Sequence, residues 1–143
     1  MPNDLSDKVA MRSIEITIST REDKQVLDIT DRVQDYVSRC GIGAGLCNVF
    51  VAHTTAGLTT GESIEGTDED LMEVLERIIP KIKFRHAHDP PHAPDHMIAS
   101  IVGAGLTIPI SSGKLQLGTW QRVLLVECNG PRERSVVVTV IAA

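Results

Sequence analysis

The amino-acid sequence predicts an α+β fold: a single domain with a mixed, mainly antiparallel β-sheet packed by about three short helices. Three observations support this prediction. Segments of alternating polar and apolar residues lie near both ends of the chain, amphipathic segments with helical periodicity lie between them, and short turns join neighbouring strand segments. No linker divides the 143 residues, so we expect one domain over residues 10–143 after a polar, frayed N-terminus at 1–9.

Alternating isoleucines predict the first strand, which begins near Arg12. The nearly continuous apolar run at 46–52 predicts a central strand that is covered on both faces. Strand-type patterns recur in five further stretches, at residues 26–29, 107–110, 114–118, 122–128 and 134–142.

Two short helices are expected on either side of the middle of the chain. Residues 31–40 carry apolar side chains at helical spacing, and Thr30 or Asp31 can cap them while Gly41 ends the helix. Residues 95–102 form the second short amphipathic segment.

The strongest helix prediction starts at Thr67 and ends at Pro80. Thr67 and Asp70 resemble a capping box with Asp in place of Glu, and further acids fill the first turn. We therefore interpret Asp70 first as a helix-capping acid. The expected core stripe of this helix consists of Leu71, Val74, Leu75, Ile78 and Ile79.

Charge and cysteine content narrow the classes of partner and compartment. Nineteen acidic against fourteen basic residues give a net charge of -5, without the basic cluster that nucleic-acid binders need, so we expect no nucleic-acid partner. No apolar run approaches the roughly 20 residues of a membrane span, and we expect no membrane partner. Three cysteines without a C-x-x-C pair favour a reducing compartment, which makes the cytoplasm the expected location.

Five histidines are the most informative feature of the sequence. His53 ends the central strand, and four more lie within eleven residues: His86, His88, His92 and His96. Neutral imidazole is the commonest metal ligand, and three imidazoles leave a fourth position open for water or substrate. Neither H-E-x-x-H nor C-x-x-C spacing identifies the metal, and loop histidines are often simply solvated, so the choice among His86, His88 and His92 stays open.

Helix geometry places His96 away from the apolar side of its own helix. At about 100° per residue, Met97, Ile98 and Ile101 fall on the opposite side of the helical wheel. His96 therefore faces either water or a site that another segment or another subunit completes.

Several strings in a fixed order resemble the YjbQ-like family, small proteins that are often described as secondary thiamine-phosphate synthases. The resemblance covers roughly residues 10–142. It rests on Asp70 and on four stretches in this order, at residues 53–63, 94–103, 113–121 and 126–136; the third contains G-T-W-Q and the fourth contains G-P-R-x-R.

This resemblance implies a compact α+β subunit of a homotrimer, with a divalent metal near His53, His86 and His96. His86 is chosen over His88 because an aromatic residue, Phe84, precedes it by two positions. Imidazole ligands favour zinc, whereas Mg²⁺ prefers oxygen ligands.

The family pattern also places catalytic and substrate-binding candidates around the metal. Glu62 can act as a general base or orient a ligand imidazole, with a solvated loop acid as the alternative. Arginine pairs bind phosphate, and the turn at 111–114 offers backbone donors. The candidates are Glu62, Gln121 and Glu127 for catalysis and, for binding a small molecule such as a phosphorylated substrate, Thr119, Trp120, Arg132 and Arg134.

Two of these candidates have competing structural interpretations. Glu127 lies in an apolar strand where a lone carboxylate is costly to bury, so it is exposed, functional, or paired with Arg132 or Arg134. Trp120, the single tryptophan, either packs in the core or at an interface or stacks on a substrate ring.

Three functions from different classes follow. The resemblance implies a synthase that joins a pyrimidine diphosphate to a thiazole phosphate and releases pyrophosphate. The histidines better fit a metal-dependent hydrolase of a small phosphorylated or carbonyl substrate, with Glu62 as the base. A trimeric module that binds a metal or metabolite without catalysis is the third expectation.

Overall fold

A computed structural model describes residues 10–143, so the frayed N-terminus expected at residues 1–9 lies outside the described residues. The described chain contains three α-helices and eight strands. In chain order they are β1 (Met11–Ser19), β2 (Gln25–Asp28), α1 (Thr30–Cys40), β3 (Gly45–Val51), β4 (Ala56–Gly61), α2 (Thr67–Ile78), α3 (Ala93–Val102), β5 (Gly105–Ser111), β6 (Lys114–Leu115), β7 (Arg122–Glu127) and β8 (Glu133–Ala142).

The strands form two sheets, and every pairing observed within residues 10–143 is antiparallel. The larger sheet has the order β1-β8-β3-β5-β6, and the smaller has the order β2-β7-β4. The α+β class with three helices and mainly antiparallel strands is thus confirmed. The correction is that the strands divide between two sheets instead of forming a single mixed one.

The smaller sheet lies between two apolar layers, and the side chains of β7 alternate between them. Val123 and Leu125 join the main core, which also contains the inward side chains of the larger sheet and the buried side of α1. The second cluster lies under α2 and α3 and consists of Met72, Leu75, Ile98, Val126 and Cys128. This two-sided burial explains why the sequence of β7 has no polar alternation.

Helix α1 matches its sequence signals closely. Gly41 adopts a left-handed conformation with φ of 66° and ends the helix, as expected. The carboxylate of Asp28 accepts hydrogen bonds from the backbone N–H and the hydroxyl of Thr30, at 3.0 and 2.6 Å, and so stabilises the start of the helix.

Helix α2 differs from the expected pattern on its apolar side. Leu75 is buried as predicted, but Val74 is 56% and Ile78 is 54% exposed, and Met72 faces the core instead. The helix contacts the small sheet through a narrow stripe of side chains. A helical wheel drawn for a broad interface therefore predicts more buried residues than the structure has.

The predicted capping box of α2 does not form. Gly66 is the N-cap residue, and the hydroxyl of Thr67 donates to the carbonyl of Ile64 at 2.8 Å. Asp70 is exposed in the first turn, where its charge suits the positive end of the helix dipole.

Helix α3 starts at Ala93, slightly earlier than predicted, after a short 3₁₀ turn. Its buried side includes Asp95 and Ile98, while Met97 and Ile101 are exposed. Within residues 10–143 no helix is long and apolar enough to cross a membrane.

Candidate functional site

His86 and His96 lie side by side. Their ring centroids are 5.0 Å apart, and the ring planes are inclined by 28°. His96 belongs to the first turn of α3 and is half-buried, whereas His86 comes from the loop between α2 and α3. Of the alternatives that the sequence left open for the second ligand, His86 is the one that the structure places beside His96.

The neighbouring histidines have other surroundings. Nδ1 of His92 is 2.9 Å from a carboxylate oxygen of Asp95, and its Nε2 is 3.4 Å from Asp89. The hydrogen bond to Asp95 and the charge of Asp89 raise the pKa of His92. His88 is exposed. Neither histidine stacks on His96 as His86 does.

Buried charge fixes the first turn of α3, on which His96 is located. Asp95 is buried, and its carboxylate lies 3.0 Å from Nζ of Lys24. Lys24 also donates to the carbonyl oxygen of Cys128 at 2.6 Å. These contacts connect the start of α3 to the end of β7 and thereby set the position of His96.

His53 follows β3 and has a different type of contact. Its Nε2 accepts a hydrogen bond from the backbone N–H of Ser135 at 2.8 Å. Burial lowers the pKa of His53, and the positive charge of Arg134 lowers it further. We therefore interpret His53 as a neutral imidazole near physiological pH.

A buried ion pair lies beside the His53 loop. Arg134 donates through Nε to both carboxylate oxygens of Glu127, at 2.9 and 3.0 Å, and also through Nη2. The same Nη2 donates to the carbonyl oxygen of Thr55 at 3.1 Å and to its hydroxyl at 2.9 Å. The hydroxyl of Thr20 donates to Glu127 at 2.7 Å. Of the alternatives for Glu127, pairing with Arg134 is the one that the structure shows.

This network sets the ionisation of Glu127. Burial by itself would raise the pKa of the carboxyl group, but the hydrogen bonds from Arg134 and Thr20 outweigh burial and lower it. Arg134 is only 2% exposed and is engaged within the protein, so it has little surface to offer a substrate. Arg132, in contrast, is exposed, and its Nε donates to the carbonyl of Asn129 at 2.8 Å.

The remaining candidates lie at the other end of the β4–β7 pair. Gly61 pairs with Arg122 there, and Ala56 pairs with Glu127 at the end near His53. At about 3.3 Å per residue, the strand separates its two ends by roughly 17 Å, so these candidates are not next to His53 within one chain. We call this part of the molecule the tryptophan end, and it carries Glu62, Thr119, Trp120 and Gln121.

Side chains at the tryptophan end are largely exposed. Gln121 donates to the hydroxyl of Thr60 at 3.0 Å and accepts the backbone N–H of Gly118 at 3.0 Å. Trp120 is 70% exposed, so within a single chain it does not pack in the core. Glu62 is exposed as well. The tryptophan end thus offers an acid, an amide and an aromatic ring to solvent or to another molecule.

Comparison with known proteins identifies the family. The family described as "UPF0047 protein YjbQ-like" matches residues 14–143. The chain belongs to this family. A UPF0047 protein of Archaeoglobus fulgidus is 38% identical over 126 residues, which cover 87% of this chain and 98% of that protein. The UPF0047 protein YugU of Bacillus subtilis is 31% identical over 84% of this chain and 92% of its own length.

Solved structures of similar proteins confirm the fold. A YbjQ-like protein of unknown function from Sulfolobus solfataricus matches with a TM-score of 0.88 and 34% identity, covering 94% of this chain and 99% of that one. A hypothetical protein from Aeropyrum pernix matches with a TM-score of 0.86 and 35% identity, over 92% and 99% of the two chains. Both share the α+β architecture of this YjbQ-like protein.

The ring centroids of the histidine pair are as far apart as those of two rings on one metal ion, but the rings are stacked and have to turn before a nitrogen of each faces the same ion. Two rings bound to a tetrahedral zinc, each about 2.0–2.1 Å from the metal, have centroids roughly 5 Å apart. Nδ1 of His86 accepts the backbone N–H of Asp89 at 3.0 Å. To bind a metal, the His86 ring has to give up either this hydrogen bond or the proton on its Nε2. Giving up the hydrogen bond is the less costly change, because this bond closes an exposed local turn.

No third ligand lies beside the histidine pair among the described residues. Among residues 10–143, no group of three or more His, Cys, Asp or Glu side chains is arranged to hold a metal ion. His53, which completes the expected trio, already uses its Nε2 lone pair on Ser135. The described residues of this family member thus fit two ligands of a zinc site.

In the turn at residues 111–114, one of the backbone donors expected to bind phosphate, the N–H of Gly113, is bonded within the chain. The backbone N–H of Gly113 donates to the carbonyl of Gly43 at 2.9 Å. Gln34 accepts the N–H of Leu115 at 2.9 Å and donates to the carbonyl of Gly113 at 3.0 Å. The turn is therefore attached to α1 and to the loop that follows it.

Sequence reasoning missed the residues that hold the histidines in place. Ser135 acts through its backbone, so its side-chain type carries no signal. Lys24 lies in a polar turn and resembles an ordinary surface lysine. An acid next to His96 in the helix was the available indication of Asp95.

Proposed function

We propose that this protein is a subunit of a metal-dependent enzyme that acts on a small phosphorylated substrate, with zinc as the preferred metal. The observation that carries the proposal is the 5.0 Å separation between the ring centroids of His86 and His96. Zinc, when bound, supplies a Lewis acid that polarises an oxygen of the substrate or acidifies a water molecule.

The chain's own residues hold and orient the reacting groups. His86 and His96 supply two imidazole nitrogens. The contact between Asp95 and Lys24 keeps the first turn of α3 in place, so the position of His96 does not depend on the exposed loop alone. Glu62 supplies an exposed carboxylate that can accept a proton.

We propose that the site is completed between subunits of a homotrimer. Catalytic zinc sites take three protein ligands, and His86 and His96 supply two of them. Glu62 and Trp120 lie at the tryptophan end, which a neighbouring subunit can bring to the histidines. Sedimentation at three times the 15.5 kDa subunit mass is expected, and a single 15.5 kDa species would contradict this arrangement.

Hydrolysis is the reaction that these residues support best, because it needs only a metal and one base. Transfer of a pyrimidine diphosphate also needs a cationic clamp for the leaving pyrophosphate. Of the two arginines expected there, Arg134 is already bound to Glu127. Thiamine-phosphate synthesis is the second candidate, favoured by the G-T-W-Q and G-P-R-x-R strings.

We also propose a reducing compartment, the cytoplasm. Cys40, Cys47 and Cys128 are buried and form no disulfide within residues 10–143. Burial raises the pKa of Cys47 to about 11 and that of Cys128 to about 12, so both thiols stay protonated and unreactive. Fractionation of the native host should recover the protein with cytoplasmic markers.

Metal content and turnover together test the proposed function. The purified protein, loaded with zinc and desalted, should retain stoichiometric metal and hydrolyse small phosphoesters. His96→Ala should lose both properties, whereas His88→Ala, which removes an exposed histidine of the same loop, should retain them. Zinc retained by His96→Ala would refute the site. Zinc binding without turnover of phosphoesters or thiamine precursors would indicate a binding module instead of an enzyme.

A further inference from the structure

We propose that Gln121 is a positioning residue and not a catalytic one: its amide fixes the turn at residues 118–121 to β4, and this turn holds the ring of Trp120 where a second copy of the chain covers it. The inference deepens the proposed function and rests on it, because the covered ring lies in the site that neighbouring subunits complete. It changes the role that the family resemblance implies for Gln121.

The first argument is that the backbone and the side chain of Gln121 close the turn together. The backbone N–H of Gln121 donates to the carbonyl oxygen of Gly118 at 3.0 Å. In the opposite direction, the backbone N–H of Gly118 donates to Oε1 of Gln121 at 3.0 Å. These two bonds join the ends of the turn, and Thr119 and Trp120 lie between them.

The second argument is the other end of the same amide. A backbone N–H can only donate, so the amide atom that faces Gly118 is the oxygen and the nitrogen points elsewhere. That nitrogen donates to the hydroxyl oxygen of Thr60 at 3.0 Å. Thr60 belongs to β4 and pairs with Val123 of β7. The turn is therefore closed on itself and also attached to the small sheet.

The third argument is the side chain that this turn presents. Trp120 directly precedes Gln121 and is 70% exposed. The bonds of Gln121 fix the backbone on both sides of Trp120 but leave most of its ring uncovered. A tryptophan on a backbone that is already ordered loses less conformational entropy on binding, and tryptophan is enriched among the residues that dominate the energy of interfaces.

The partner that we infer is a second copy of this chain. Among the described residues, no third side chain is arranged with His86 and His96 to hold a metal ion. The tryptophan end carries an exposed acid, Glu62, that a neighbouring subunit can bring to this pair. An aromatic anchor at the same end as that acid would hold the two subunits in the contact that the site needs.

Fluorescence tests the covered ring, because Trp120 is the only tryptophan of the chain. In the assembled, zinc-loaded protein, Trp120 should emit at a shorter wavelength than N-acetyl-tryptophanamide and should be quenched less by acrylamide. Trp120→Ala should weaken subunit association in sedimentation experiments about 10- to 100-fold. An assembled protein in which emission and quenching equal those of the free compound would overturn the inference.

Time-resolved fluorescence anisotropy tests the role of Gln121. Thr60→Val and Gln121→Leu both remove the bond between the turn and β4, so both should increase the fast local motion of Trp120 and weaken association about 3- to 10-fold. Gln121→Glu keeps an oxygen for Gly118 and can accept a hydrogen bond from the Thr60 hydroxyl, so Trp120 should stay ordered.

Thr59→Val is the matched control, because it removes a hydroxyl of the preceding residue that donates to the carbonyl of Thr60 and not to Gln121. It should leave both the motion of Trp120 and the association unchanged. If Trp120 is as ordered in Thr60→Val as in the parent protein, or as mobile in Gln121→Glu as in Gln121→Leu, the role of Gln121 is refuted.

The outcomes separate this inference from the proposed function. A trimer that binds zinc but leaves Trp120 accessible to acrylamide would refute the inference and leave the proposed function standing. A trimer that covers Trp120 but binds no zinc would refute the metal enzyme and leave the inference standing. A protein that sediments only as a monomer would refute both the trimer and the covered ring.

Discussion

Arg134 lies against Glu127 in the protein interior, with its Nε within 3.0 Å of both carboxylate oxygens. The two residues belong to consecutive strands, β7 and β8, yet Nη2 of Arg134 also reaches back to Thr55. The ion pair therefore ties the β7–β8 connection to the His53 loop. We regard it as a positioning element of the site.

Removing one member of this pair should be strongly destabilising. Arg134→Met leaves a buried carboxylate without its counter-charge, so we expect the free energy of unfolding to fall by about 3–5 kcal/mol. Arg132→Met removes an exposed arginine nearby in the sequence and should change the free energy of unfolding by no more than about 0.5 kcal/mol. Urea unfolding monitored by circular dichroism measures both changes. Equal effects of the two substitutions would contradict the structural role assigned to Arg134.

Acid should destabilise the protein through carboxyl groups whose pKa is lowered in the folded state. Burial acts to raise the pKa of Asp28, but hydrogen bonds from Thr30 and Arg122 outweigh it. Because the pKa of Asp28 in the folded state lies below its ordinary value of 3.8, the ionised carboxylate stabilises the folded protein at pH values above 3.8. This stabilisation is lost as the pH falls through the folded-state pKa. The same reasoning applies to Glu127, with an ordinary value of 4.5.

Unfolding free energies between pH 7 and pH 3 measure this effect, at up to about 1.4 kcal/mol per pH unit for each proton taken up on unfolding. The parent protein should be nearly constant in stability down to about pH 5 and then lose it. Asp28→Asn should be less stable at pH 7, with a shallower decline below pH 5, because it lacks one of the responsible carboxylates. Parallel curves for the two proteins would show that Asp28 does not contribute.

The close approach of β4 to α3 should couple a glycine to the histidine pair. A Cβ on Gly57 would lie 2.8 Å from Cγ1 of Val102 and 2.9 Å from the carbonyl oxygen of Gly103. Gly57→Ala therefore has to push α3 outward, which we expect to cost about 1–3 kcal/mol and to weaken zinc binding at His96. Thermal unfolding and zinc titration measure the two effects.

A second glycine of the same strand provides the control. A Cβ on Gly61 would meet only the flexible tip of Leu124, at 3.2 Å. Gly61→Ala should therefore leave zinc affinity unchanged. The coupling between Gly57 and the site would be disproved by equal zinc affinities in both alanine variants and the parent protein.

Much of the fold could be predicted because strong local patterns coincide with burial. The isoleucines of β1 and the apolar run of β3 appear in the structure as strands, and Gly41 ends α1 as predicted. The expectation that β3 is covered on both faces is wrong within one chain, because Leu46 and Phe50 are each 46% exposed. The strand β4 was missed because its sequence, A-G-L-T-T-G, has neither alternation nor β-branched apolar residues.

The arrangement of the candidate site was less predictable, because it depends on the missed strand β4. The register of β4 against β7 determines that Glu62 and His53 lie at opposite ends of a strand pair, and this register could not be read without β4. The pairing of Glu127 with Arg134 was foreseeable as one alternative, because an apolar strand leaves a carboxylate few other solutions. The contact of Ser135 with His53 depends on backbone geometry, to which the sequence gives no direct access.

The central claim is that His86 and His96 hold a metal ion. Crystals of the zinc-loaded protein, with anomalous diffraction recorded at the zinc absorption edge, test it most directly. We expect an anomalous peak between the two rings, about 2.0–2.1 Å from one nitrogen of each. A zinc-loaded crystal with no peak at this pair, or with its zinc on His53, would contradict the account.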